Sequence, residues 1–251
     1  MTREEFLSLK EELTNVVVEY EVLKRKSSFL NNSYILQFRE ELEKQRYLLY
    51  ENEYLSKAIA KQGEKENLED IKKYLEEAKK EFEVQIQAFH QQVHQAEEME
   101  KRCSHYHAKD IENLDREFIE YCKLYHPALK AHSTENELNL YNVLVTVYRL
   151  GNIVGFKALM SENRDVFTSQ MVTEEEYDRI AKYYLQSLQN LRGLLNNLKN
   201  SFPLNREQIF IDDEAYTKEY MYLREKNYAA REMNSSLHKD FLLNFSFDFE
   251  L

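Results

Sequence analysis

Residues 6–34, FLSLKEELTNVVVEYEVLKRKSSFLNNSY, decide the fold. Phe6, Leu9, Leu13, Val16, Tyr20, Leu23, Ser27, Leu30 and Tyr34 stand at alternating steps of three and four. That spacing turns one stripe of a helix toward a partner helix, the seam of a coiled coil. Past Tyr34 the steps become four and four through Phe38 and Leu42, then thin out at Leu49, Leu55 and Ile59. Consecutive steps of four relax the supercoil locally, as a stutter does.

The first glycine of the chain, in Gln62-Gly63-Glu64, interrupts the pattern. A second stripe then runs from Leu68 and Ile71 through Leu75, Ala78, Phe82, Ile86, Phe89, Val93, Ala96 and Met99 to Cys103 and Tyr106. Folding the chain near residue 64 sets Phe38 beside Phe89, Leu42 beside Ile86, Leu30 beside Met99 and Ile59 beside Leu68. It also brings the irregular stretches of the two helices together, a coincidence that a parallel dimer does not explain. The pattern predicts an antiparallel coiled-coil hairpin over 1–109, with arms of roughly 60 residues, or roughly 90 Å.

Composition agrees with an all-α fold. The 251 residues include 4 Gly, 2 Pro and no Trp, and 31% are charged. Sheets and long loops need turn residues that this chain lacks, whereas long solvated helices need the Glu, Lys, Leu, Gln and Ala it has. The formal net charge of −11 argues against nucleic-acid binding, which requires phosphate neutralisation. It argues equally against a membrane-binding helical scaffold, which needs a basic face. The densest basic cluster, Lys24-Arg25-Lys26, is too short to change this. No apolar run approaches the 18 residues of a membrane span. Two cysteines, Cys103 and Cys122, both in helical pattern, fit a reducing, cytoplasmic compartment.

The rhythm changes beyond residue 110. A helical pattern over 110–125 stops at His126-Pro127, because proline disfavours helix in the residue before it. Ser133-Thr134-Glu135 starts a helix that runs to Leu150 and ends at Gly151. A short apolar segment continues from Ile153 to Met160, so 110–165 reads as one helical region. Over 166–251, Thr173 with Glu176 forms a capping box, and Asp212 or Asp213 caps a last helix to about His238. In the tail, Phe245, Phe247, Phe249 and Leu251 alternate with polar residues, the period of a half-buried strand. Such a strand needs a neighbour. Gln208-Ile-Phe-Ile211 is the expected one within the chain, with a partner protein's edge strand or a helical groove as alternatives.

The segment Phe118-Ile-Glu-Tyr-Cys-Lys-Leu-Tyr-His-Pro-Ala-Leu-Lys130, followed by Tyr141-Asn-Val-Leu-Val-Thr-Val-Tyr148, resembles the middle of a J-domain, the module that stimulates Hsp70. In that family a helix ends in Tyr-His-Pro-Asp, a loop comes next, and the helix after it carries an aromatic and an Ala-Tyr pair. Here Tyr125, His126 and Pro127 match, Tyr141 stands at the aromatic position and Val147-Tyr148 stands for Ala-Tyr. The aspartate through which the family engages Hsp70 is Ala128 here. The family's preceding helix is basic, yet 110–125 holds the acids Asp110, Glu112, Asp115, Glu117 and Glu120 against Arg116 and Lys123. Both departures remove electrostatic contacts to an Hsp70. The whole arrangement is similar to J-like coiled-coil proteins of low-GC bacteria.

Catalytic constellations are not legible. His90 and His94 have the spacing that puts two imidazoles on one metal, but a third ligand would have to come from elsewhere. Surface histidines flanking Phe89 and Val93 are the plainer reading. Cys122 lies four residues from His126 with no group to favour a thiolate, and reads as a buried small residue. Four scattered glycines cannot form a phosphate-binding loop. The sequence therefore predicts a non-enzymatic coiled-coil scaffold or adaptor without cofactor, binding protein partners and open to homodimerisation. A degenerate J-type co-chaperone or Hsp70 modulator is the alternative, and a histidine-based metal-binding protein a further one.

Overall fold

The structure, a computed structural model, describes residues 1–64, 67–130, 132–163, 166, 172–245 and 247. These form eight α-helices: α1 (Arg3–Gln37), α2 (Arg39–Gly63), α3 (Leu68–Ser104), α4 (Ala108–Tyr125), α5 (Glu135–Arg149), α6 (Ile153–Glu162), α7 (Tyr177–Lys199) and α8 (Asp213–Asn244). Single 3-10 segments occupy Pro127–Leu129, Glu174–Glu176 and Leu204–Phe210, and no strand occurs among the described residues. The chain is all-α. No helix among the described residues is long and apolar enough to cross a membrane.

Local chemistry sets the helix ends. At α5, the Thr134 amide donates to Glu137 Oε2 at 2.8 Å and the Glu137 amide donates back to Thr134 Oγ1 at 3.2 Å. The reciprocal pair satisfies two donors that a helix start otherwise orphans. Thr173 and Glu176 make the corresponding box before α7, and Asp212 Oδ1 accepts the Glu214 amide at 2.9 Å to open α8. Gly151 lies just past α5 with φ 63, a left-handed conformation that suits glycine. The boundary between α1 and α2 falls at Phe38, where the seam steps become four and four. Its φ/ψ of −112/16 departs from helix, yet the bonds from Phe38 N to Tyr34 O and Leu42 N to Phe38 O hold at 3.0 Å.

The chain divides into two compact units, residues 1–31 with 98–207 and residues 32–97 with 208–251. Each gathers part of the hairpin stretch and part of the later chain. In the first unit Leu13 and Val17 of α1 share a core with Leu114, Phe118, Leu144 and Ile180 of the later helices. Phe6 stacks on Tyr177 with ring centroids 4.4 Å apart. Between Leu9 and Leu23 the buried positions of α1 are Leu9, Leu13, Val17 and Glu21, while the expected seam residues Val16, Tyr20 and Leu23 are only half-buried. Steps of four replace the alternation because several helices surround this half of α1, so no single partner imposes a supercoiled seam.

In the second unit α2 lies antiparallel to α3. Arg39 Nη1 donates to Glu97 at 3.1 Å, His90 Nε2 lies 2.8 Å from Glu43 Oε1, and Tyr54 OH donates to Glu81 Oε2 at 2.8 Å. Rising numbers on one helix thus meet falling numbers on the other. Leu42 borders the apolar cluster of Ile35, Phe82, Ile86 and Phe89. Phe38 departs from its expected place beside Phe89: it packs on Ile209 and Leu223, and the Arg46 guanidinium covers the Phe89 ring at 4.5 Å. The reason is α8, which offers Phe38 an apolar flank that a two-helix hairpin lacks. Leu68 is exposed, and Ile71 instead packs in the cluster that Ile59 borders.

The expected strand at Gln208–Ile211 is not formed. Residues through Phe210 wind as a 3-10 turn, which buries Ile209 against Phe38 and Leu223 and leaves Ile211 70% exposed. A strand would have set those two isoleucines on one face. Phe245 leaves α8 in extended backbone and packs on Phe241 at 4.4 Å, beside Tyr54 and Leu55. Residues 246 and 248–251 of the expected tail strand lie outside the described residues.

Candidate functional site: the J-like loop and a polar seam

The J-like segment forms the predicted helix, loop and helix, as α4, the 3-10 turn and α5. His126 caps the turn and is 8% exposed. Its Nδ1 accepts the Ala128 amide at 3.0 Å, which leaves Nε2 to carry the proton of a neutral ring. Nε2 lies 3.9 Å from Glu21 Oε1, longer than a hydrogen bond. Tyr125 is half-buried, its ring 5.1 Å from that of Tyr121. The Pro127 carbonyl accepts Tyr183 OH and the Leu129 carbonyl accepts Tyr184 OH, each at 2.9 Å, both from α7. Ala128 is half-buried against the core. The chain's own α7 therefore takes up the Pro127 and Leu129 carbonyls of this loop, and Glu21 of α1 faces the His126 ring.

Three ion pairs lie in the same unit. Glu21, 4% exposed, accepts Arg149 Nη2 at 2.7 Å. Burial opposes ionisation of Glu21, but the contacts of His126 and Arg149 outweigh it and hold the carboxyl below its usual range. Lys130 and Glu137 pair at 2.5 Å with both side chains buried, which ties the loop to the first turn of α5. Asp115 accepts Tyr148 OH at 2.9 Å and pairs with Arg25. Glu21 escaped sequence reading because the alternating seam assigned its place to Tyr20. The steps of four from Leu9 through Leu13 and Val17 are the signal that marks it.

Neither cysteine is favoured as a thiolate. Burial, then the negative charge of Glu21, pushes the Cys122 thiol well above its ordinary range, with Tyr141 OH 4.0 Å away. Burial also raises Cys103. His90 is engaged by Glu43, His94 is exposed, and no group of three or more His, Cys, Asp or Glu with metal-binding geometry occurs among the described residues.

The second unit holds a polar seam that sequence reading missed. α2 and α8 run in the same direction, joined by Asn227 Nδ2 donating to Glu41 O at 2.9 Å and Glu41 Oε2 at 2.7 Å. Asn52 Nδ2 donates to Ala230 O at 2.8 Å, and Asn234 Nδ2 donates to Glu51 Oε2 at 2.8 Å. The buried face of α8 thus alternates Glu219, Leu223, Asn227 and Ala230, too few apolar residues to register as a stripe. Buried amides of this kind fix the register of paired helices. Asn227→Ala is expected to lower stability by about 2 kcal/mol, since it removes the buried amide donor from Glu41 O and Oε2 and leaves that carboxylate only Lys44 on Oε1. Urea denaturation of the full chain checks this; a change within error would show that the seam is not a determinant of stability.

No family model matches the chain, and no curated protein and no solved structure does so either. The resemblance to the J-domain thus stands on residues 118–148 alone.

Proposed function

We propose that the protein is a non-catalytic helical scaffold or adaptor for protein partners, in which the J-like segment is a structural part of a helical head. The observation that supports this reading best is the enclosure of the loop. His126 is buried, its Nδ1 is used by Ala128, and the Pro127 and Leu129 carbonyls are taken by Tyr183 and Tyr184. A partner that engaged the loop as the J-domain family does would have to displace α7. It would also meet Ala128 in place of aspartate, and an acidic α4 in place of a basic helix.

The purified protein is expected to leave Hsp70 ATP hydrolysis at its basal rate. Ala128→Asp alone is not expected to restore stimulation, because α4 still repels an acidic surface. Steady-state ATPase assays with a cytoplasmic Hsp70 and its nucleotide exchanger check both points. Stimulation by the unmodified protein would make it a working J-type co-chaperone, and suppression below the basal rate would make it an Hsp70 modulator. The scaffold reading further requires that the full-length chain, used as bait in its native cytoplasm, retain protein partners reproducibly.

A further inference from the structure

Along α2 and α8, within the second unit, a groove is bounded by Lys44, Tyr47 and Leu48 on one wall and by Arg224, Tyr228 and Arg231 on the other. Its floor is the buried pair of Glu41 and Asn227. Arg224 and Arg231 are seven residues apart, so they share a helix face with about 10 Å between them. Exposed bases on a helix commonly find an acid three or four residues away, as Lys218 does with Glu214. The residues at those distances from the two arginines are Tyr220, Met221, Asn227, Tyr228, Asn234 and Ser235, none of them acidic. Arg224 has only the Tyr220 ring, 5.7 Å away, and neither arginine has an ionic partner among the described residues. Tyr228 sits between them and is 67% exposed, and Tyr47 across the groove is 39% exposed. Arginine and tyrosine together mark the energetic centres of protein interfaces, whereas an idle solvated face favours lysine and glutamate.

We infer that this groove docks an acidic amphipathic helix of a partner protein, with two carboxylates about two turns apart seated on Arg224 and Arg231. An apolar side chain of that helix fills the space between Tyr47 and Tyr228. The occupant is a helix because both walls are helices, which offer ridges and grooves but no free backbone edge for an extended strand. Its edge is acidic because the acids on the α2 wall are largely committed: Glu43 to His90, and Glu41 to Lys44 and Asn227. Glu40 on that wall suits a basic residue at the helix's other edge. Guanidinium groups take carboxylates in paired hydrogen bonds, which sets the register of the docked helix. This inference rests on the scaffold reading and gives it a partner chemistry.

The test uses the full-length protein and two fluorescent helical peptides, each about 20 residues long so that the helix is stable. One carries glutamates seven residues apart on a leucine-bearing face, and the other carries lysines at the same two positions. The glutamate peptide is expected to bind at least about tenfold more tightly, by anisotropy, with the difference shrinking as salt is raised. Arg224→Glu with Arg231→Glu, both at exposed positions, is expected to reverse the preference while the circular dichroism spectrum stays unchanged. Equal affinities, absence of binding up to about 1 mM, or an unaltered preference in the double variant overturns the inference. So does a concentration-dependent dimer, seen by sedimentation, that the double variant abolishes, because the occupant is then a second copy of this chain. The scaffold reading fails separately: a double variant that retains the same partners from the cytoplasm removes the groove and leaves the scaffold, whereas a bait that retains none removes the scaffold.

Discussion

Replacing Glu21 with glutamine is expected to lower stability by about 3 kcal/mol, the low end for breaking a buried ion pair. The low end applies because Arg149 keeps 30% of its side chain in water, while Glu21 keeps only 6%. The variant loses the negative charge opposite Arg149 and leaves the guanidinium and the His126 edge facing a neutral amide inside the first unit. For a unit of this size that is a drop of about 10 °C in melting temperature. The effect has a pH signature. The folded state holds the Glu21 carboxyl below its ordinary range, so the unfolded chain binds this proton more readily. Its stabilisation is therefore complete above the unfolded value of about 4.3 and is lost as pH falls through the lower folded value. The wild type should lose more stability than Glu21→Gln between about pH 5 and pH 3. Removing both charges with Glu21→Leu and Arg149→Met is expected to be milder than Glu21→Gln alone, because no unpaired charge remains. Denaturant melts across that pH range check all three. A double variant less stable than the single one would show that the pair contributes net attraction instead of merely relieving its own burial.

The helix inventory was legible because its signals are local. Glycine at 63, proline at 127, the Thr134–Glu137 and Thr173–Glu176 boxes and the Asp212 cap act within one turn of the residue that carries them. The change of step at Phe38 reads as a relaxed supercoil within one arm, whereas the structure ends α1 and starts α2 there. What the periodicity could not give was the number of helices around each stripe. A strict alternation of three and four describes one partner, but the N-terminal half of α1 meets several, so burial follows Leu13, Val17 and Glu21 instead of Val16 and Tyr20. The same blindness misplaced Phe38, whose real neighbours Ile209 and Leu223 are some 170 or more residues away along the chain. The polar seam of α8 is hidden for another reason: its buried residues are partly amides and acids, which periodicity assigns to solvent. The J-like loop was found from Tyr125, His126 and Pro127, but its enclosure depends on Tyr183 and Tyr184, which no short motif connects to it.

Phe118→Ala is expected to lower stability by about 4 kcal/mol, a larger effect than that of Glu21→Gln. Phe118 is fully buried at the meeting of α4, α5 and α6. Its ring stacks on Tyr148 with centroids 3.6 Å apart and a 9° angle, and meets Phe156 edge-on at 6.1 Å. Truncation removes the transfer free energy of a phenyl ring and leaves a cavity that the surrounding packed helices cannot close. It also strips one neighbour from Tyr148, whose hydroxyl donates to Asp115 and whose ring lies 4.9 Å from the Arg25 guanidinium. The loss should therefore loosen the Arg25–Asp115 pair, and not the packing alone. Phe118→Leu keeps most of the volume and is expected to cost about 1.5 kcal/mol. Thermal melts give the ranking, and hydrogen exchange of α4, α5 and α6 amides gives the location. If Phe118→Ala melts within about 3 °C of the wild type, or if protection is lost equally in α2 and α8, then Phe118 does not organise the core around the J-like loop.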